Sequence, residues 1–155
     1  MPAGKPEPVE PDKSNVDTTK KLHCTISIDC ATILNNLSDL DPAKLDVLPT
    51  DGVVLNAVTV EFSEGESVFD VLQRVCRENN IHLEATFTPG YNSAYVEGIH
   101  NLYEFDCGEL SGWMYSVNGW FPNYGCSRYA LQDGDVIRWR YTCDLGADVG
   151  GSMVA

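Results

Sequence analysis

Between Glu78 and Ser127 this 155-residue chain contains no lysine and no arginine. Basic residues are scarce throughout, 10 against 23 acidic ones, for a formal net charge of −13. A phosphate-backbone partner needs clustered positive charge, so nucleic acid is excluded as a class. Long apolar runs are missing too. Nothing approaches the roughly 20 consecutive apolar residues of a membrane span, and the N-terminus lacks the apolar core of a signal peptide. A soluble chain with no transmembrane segment is expected, its polar Met1-Pro2-Ala3-Gly4 opening reading as the start left after a leader is removed. Catalytic motifs are absent as well: no nucleophile elbow, phosphate loop or dinucleotide fingerprint is present. The histidines are only His23, His82 and His100, and none stands in a metal-ligand frame. No enzyme is expected, and no catalytic residue is assigned.

What is present describes one globular domain, with 43% hydrophobic and 21% charged residues. Six cysteines, Cys24, Cys30, Cys76, Cys107, Cys126 and Cys143, make disulfides the first reading and an oxidising compartment the expected setting. Structural zinc needs closely spaced pairs, and the nearest two, Cys24 and Cys30, have five residues between them. Connectivity stays open, with Cys107 and Cys126 favoured because they flank a predicted hairpin; Cys76, mid-helix, reads equally as a buried thiol. Glu104, Asp106, Asp144 and Asp148 could form an oxygen cage for calcium, but their spacing is not that of a twelve-residue calcium loop and a solvated acidic surface is the simpler reading. No metal site is assigned. Asn36-Leu37-Ser38 is a formal glycosylation acceptor.

Residues 1–21 hold four of the eight prolines, every lysine but Lys44 and no aromatic residue, and read as a disordered tether. An N-terminal extension follows over 22–52. In it Leu22-His23-Cys24-Thr25-Ile26-Ser27-Ile28 alternates as a strand, Ala31 to Leu37 reads as a short helical turn, and Asp41-Pro42 is a helix start. Val58 to Phe62 alternates again. Ser67-Val68-Phe69-Asp70 has the form of a capping box, and Val68, Val71, Leu72 and Val75 recur at helical spacing. Ile81 to Phe87 alternates as a strand, residues 88–93 form a loop, and the stretch to Leu110 reads as irregular. Asn118-Gly119 marks a tight turn after Trp113 to Val117. Asp133-Gly134-Asp135 turns into a closing strand, Val136 to Tyr141, and residues 146–155 read as a flexible tail.

Twelve of the fifteen aromatic residues fall between Tyr91 and Tyr141, within the region where charge is mainly negative. An acidic, aromatic surface suits flat or apolar ligands, or a partner protein anchored by aromatic side chains. Alternation makes Trp113, Tyr115 and Val117 core-facing, whereas Trp120, Phe121 and Tyr124 follow a turn and are harder to bury. With Asn118 and Asn123 they form the candidate ligand-binding set.

Three ordered motifs carry a family resemblance: Gly112-Trp113-Met114-Tyr115-Ser116-Val117-Asn118-Gly119, then Asn123-Tyr124-Gly125, then Leu131-Gln132-Asp133-Gly134-Asp135 running into Tyr141. Together with Glu64-Gly65-Glu66 before the capped helix, they resemble the transcobalamin-like C-terminal domain family, a domain of largely unknown function found in secreted Gram-positive proteins. The resemblance spans residues 53–145. It implies an α+β, β-grasp-like fold: one main helix packed on a curved mixed sheet, with the N-terminal strand and short helices added and held by disulfides. It implies a non-catalytic module outside the cell or anchored at its surface, as in a lipoprotein, contributing half of a cobalamin site, with another small molecule or a second surface protein as further partners. A disulfide-stabilised adhesion or spacer domain and a calcium-binding surface domain are the alternatives.

Overall fold

The computed structural model describes residues 4–10, 16–88 and 93–151, so most of the loop expected at 88–93 and the last four residues of the tail lie outside the described residues. Among the described residues seven strands form two sheets. Strand β1 (Asp17–Asp29) pairs antiparallel with β2 (Val53–Glu64) and parallel with β7 (Val136–Thr142), and β7 pairs antiparallel with β6 (Gly112–Val117). The order in this sheet is β2-β1-β7-β6. A second sheet, in the order β3-β4-β5, consists of β3 (Leu83–Thr88), β4 (Ser93–Ile99) and the two-residue β5 (Leu102–Tyr103).

The alternating patterns have the expected physical outcome. Cys24, Ile26 and Ile28 of β1 are fully buried and pack with Ile137, Trp139 and Tyr141 of β7 in a single core. β1 begins at Asp17, inside the segment read as tether. Two aromatic side chains tie the sheets together: the Trp113 indole donates to the Leu102 carbonyl at 2.8 Å and the Tyr141 hydroxyl donates to the Tyr103 carbonyl at 2.8 Å. The two rings meet edge to face with centroids 5.3 Å apart.

The single α-helix among the described residues, α1 (Val68–Glu78), starts on a true capping box: the Ser67 hydroxyl accepts from the Asp70 amide and the Asp70 carboxylate accepts from the Ser67 amide. Its buried stripe is Val68, Val71, Leu72, Val75 and Cys76. Short 3₁₀ turns follow at Ala31–Asn35, Leu37–Asp39 and Pro42–Val47; the first closes against the end of β7, where the Thr32 hydroxyl donates to the Tyr141 carbonyl at 2.6 Å, and the Asp41 amide at the start of the last donates to the Asp106 carbonyl at 2.7 Å.

Two expectations are corrected. The fold is not one helix laid on one curved sheet but a mainly β, sandwich-like pair of sheets with α1 as a single helix at its flank. The error lies in residues 93–103, read as irregular; they form β4 and β5, whose Val96, Ile99 and Leu102 supply the second sheet's share of the core. Nor is the domain held by disulfides: all six cysteines are thiols. The favoured pair sits apart because β6 pairs with β7 and not with the chain beyond the Asn118-Gly119 turn, which makes only the Val117–Trp120 bridge. The Cys107 thiol thus donates to the Asn36 carbonyl, whereas the Cys126 thiol faces the Ala94 carbonyl.

Candidate functional site

The two sheets leave a seam between β4 and β6, and the chain's aromatic excess is concentrated there. Tyr95 from β4 and Trp113 from β6 border both halves of it. The outer half, a groove of about 300 Å³, is floored by Met114, Phe105, Leu110 and Leu145 and rimmed by Glu104 and Glu109. The inner half, about 140 Å³, is closed by Tyr115 and Trp139, whose rings lie 5.4 Å apart. No lysine or arginine lines either half.

Backbone strain shapes the outer groove. Phe105 (φ 71°) and Leu145 (φ 49°) hold left-handed conformations that bulky side chains avoid, and both remain exposed, at 63% and 53%. Each is held there by its own amide, Phe105 donating to the Ser111 carbonyl and Leu145 to the Leu110 carbonyl, both at 3.0 Å. Strain that presents apolar side chains to solvent is a feature of binding surfaces. The Tyr95 hydroxyl donates to the Glu104 carboxylate, and burial followed by that carboxylate holds the phenol well above its usual range, so it stays a neutral donor. The groove can therefore accept an apolar face with a hydrogen-bonding or cationic edge.

The predicted ligand set falls elsewhere and is divided. Asn118 is engaged within its own turn: its side-chain amide donates to Asp135 at 2.9 Å and its oxygen accepts from the Val136 amide at 2.8 Å. Phe121 is half-buried, facing the backbone of Gly151, and Asn123 is exposed. Only Trp120 and Tyr124 come together, edge to face at 6.3 Å, and the Tyr124 hydroxyl already donates to the Pro6 carbonyl. Of the residues missed by sequence reasoning, Tyr95, Phe105 and Leu110 come from the stretch read as irregular, where the aromatic and charge skew of 78–127 was the signal that could have found them; Leu145 lies just before the segment read as tail, and no sequence signal marked it.

Among the described residues no group of three or more His, Cys, Asp or Glu side chains converges on a metal position. Asp148 accepts from Thr142 and the Cys143 amide, and Asp106 from the Tyr103 amide with Lys44 beside it. A larger cavity of about 480 Å³ beside α1 has a charged lining in which Arg74 pairs with Glu66 and donates to the Glu61 carbonyl. No described helix is long and apolar enough to cross a membrane.

The architecture is that of a small two-sheet domain with an acid-rimmed aromatic seam. The chain belongs to the family described as a domain of unknown function (DUF4430), whose model matches residues 65–143. Its fold is similar to that of haptocorrin, solved in complex with Cbi, at 14% identity and a TM-score of 0.58 over 86% of this chain. The chain spans only 28% of haptocorrin's length. A Ruminococcus gnavus protein, provisionally described as metal binding, aligns at 14% identity and a TM-score of 0.45 over 78% of this chain and 96% of its own. No curated protein matches.

Proposed function

We propose that this chain is a non-catalytic binding module that takes one flat apolar face of a small molecule into the seam between its sheets, acting outside the cell or at its surface. The observation that carries this reading is the outer groove, where strained and exposed Phe105 and Leu145 face Tyr95 and Met114 under an acidic rim. A groove of about 300 Å³ stands at the lower end of pockets that engulf drug-sized ligands, so it takes an edge rather than a whole large ligand. A corrinoid is the ligand to test first, because the fold is similar to that of a protein solved with Cbi, and a second protein surface would complete such a site.

Cobinamide and cobalamin titrated separately into the full chain, followed by calorimetry and thermal shift, test this. A native-state ligand at a hundredfold excess over Kd raises stability by about 2.7 kcal/mol, which a melting curve resolves. Saturable binding is expected, weakened at least tenfold by Tyr95→Ala and by Phe105→Ala. Absence of saturable heat and of any shift with both corrinoids removes the corrinoid reading, and binding indifferent to both substitutions removes the seam.

A further inference from the structure

The segment Lys5-Pro6-Glu7-Pro8-Val9-Glu10 does not stand free of the domain. The Lys5 ammonium lies 5.4 Å from the centre of the Trp120 ring. The Pro6 carbonyl accepts from the Tyr124 hydroxyl at 2.8 Å, the Val9 amide donates to the Arg128 carbonyl at 2.8 Å, and the Glu10 carboxylate pairs with the Arg128 guanidinium at 2.9 Å. These contacts run in order along the peptide, cation first and carboxylate last, so they define both direction and register. We propose that Trp120, Tyr124 and Arg128 form a recognition ledge for extended segments of the pattern Lys-Pro-x-Pro-x-Glu, occupied in cis by residues 5–10. This goes beyond the small-molecule reading and uses a different surface.

The chemistry fits both partners. Proline fixes its own φ near −65° and pushes the preceding residue to extended geometry, so Lys5-Pro6-Glu7-Pro8 loses little conformational freedom on docking. Proline-containing segments dock on aromatic ledges by that route. The ledge is braced from behind by contacts independent of the strap: Tyr124 stacks on Tyr129 at 6.2 Å, its carbonyl accepts from the Tyr115 hydroxyl at 2.6 Å, and Trp120 is bridged to Val117. Arg128 has spare capacity, since its Nε is buried with no hydrogen-bond partner among the described residues. A carboxylate reaching Nε as well as Nη2 would bind in the bidentate manner that guanidinium favours.

Residues 11–16 join the strap to β1, and a short connection gives an effective concentration on the order of millimolar. Docking in cis therefore needs an intrinsic Kd only somewhat below about 1 mM. The test uses the full chain carrying Lys5→Ala, Pro6→Gly, Pro8→Gly and Glu10→Ala together, titrated with the synthetic peptide Gly4–Glu10 and followed by tryptophan fluorescence and amide NMR. Saturable binding with perturbed Trp120 and Arg128 resonances is expected. The unaltered chain should bind the peptide at least tenfold more weakly, because its own strap competes. Adding Arg128→Glu should abolish binding of the native peptide, and a peptide with Glu10→Arg should restore it. No saturation by about 10 mM, equal affinity for the two chains, or failure of the charge reversal to discriminate overturns the proposal. An unaltered chain sedimenting as a strap-exchanged dimer overturns the cis assignment. A melting temperature for the strap variant close to that of the unaltered chain separates a lost ledge from a lost fold, and absence of Lys5–Trp120 proximity in the NMR spectrum of the unaltered chain is an independent refutation.

Discussion

At the scale of single residues, the cysteines show how burial decides chemistry. Cys126 faces the Ala94 carbonyl, the Cys107 and Cys143 thiols meet beside Thr32 and Asn36, and Cys24, Cys30 and Cys76 sit in the core. Burial pushes the Cys24 and Cys76 thiols up to about 11 and those of Cys30, Cys107 and Cys126 up to about 12. A raised pKa means that the native state holds its proton to higher pH than the unfolded chain does. This contribution is therefore fully present below the unfolded value near 9.0 and is lost as pH climbs toward 12. For the enclosed Cys126 the loss is on the order of 1 kcal/mol per pH unit in that window. Urea titrations at pH 7.0, 8.0 and 10.5 should show stability level across the first interval and falling across the second; a constant midpoint contradicts the burial of the thiols. Reactivity follows the same logic, since the thiolate is the nucleophile. Cys143, the one half-buried thiol, should be modified first by an aromatic disulfide reagent at pH 8, with the other five reacting only in denaturant. Rapid modification of all six under native conditions would show the core to be open.

Elements are governed by local geometry that composition does not reveal. The Asn118-Gly119 turn has both residues at positive φ, 54° and 82°, and Asn118 bonds on each side to β7 and its approach. Asn118→Ala should cost about 1–3 kcal/mol, read as a lowered urea midpoint, because the Val136 amide and Asp135 lose their partner and alanine resists that φ. If ligand binding in the seam persists in this variant, Asn118 is a turn residue and not a ligand contact. The helix was legible in the amino-acid sequence because its signals are local: a capping box at Ser67 and Asp70, and an apolar stripe from Val68 to Val75. So was the strand holding Cys24, Ile26 and Ile28, through plain alternation. The second sheet was not, because β5 is only two residues long and β4 runs Ser-Ala-Tyr-Val-Glu-Gly-Ile, a burial pattern broken by Gly98 and by a register shift against β3. Missing that sheet hid the seam as well, since the groove exists only where β4 faces β6. Cysteine pairing was illegible for a different reason, as spacing alone says nothing about which thiols a long-range topology brings together.

For the molecule as a whole, charge sets two effects in opposition. A net charge of −13 favours expansion through self-repulsion, while ion pairs such as Arg74–Glu66, Arg128–Glu10 and Arg140–Asp29 favour the folded state. Salt weakens both, and its sign reveals which dominates. The exposed Lys20–Glu64 pair contributes little, and Arg74–Glu66 is partly shielded from the screening that reaches the surface. Repulsion, by contrast, acts between many solvent-facing carboxylates over distances comparable to the screening length, which shrinks from about 30 Å at 0.01 M to about 8 Å at 0.15 M. Raising sodium chloride across that range should therefore raise the melting temperature by a few degrees, with most of the gain below about 0.1 M where the screening length falls fastest. Acidic side chains crowd the seam without a basic residue to offset them, so a cationic ligand edge should bind there more weakly as salt rises, even while the fold becomes more stable. A melting temperature that falls with salt would place the ion pairs, and with them the Arg128–Glu10 clasp of the N-terminal strap, among the principal contributions to the folded state.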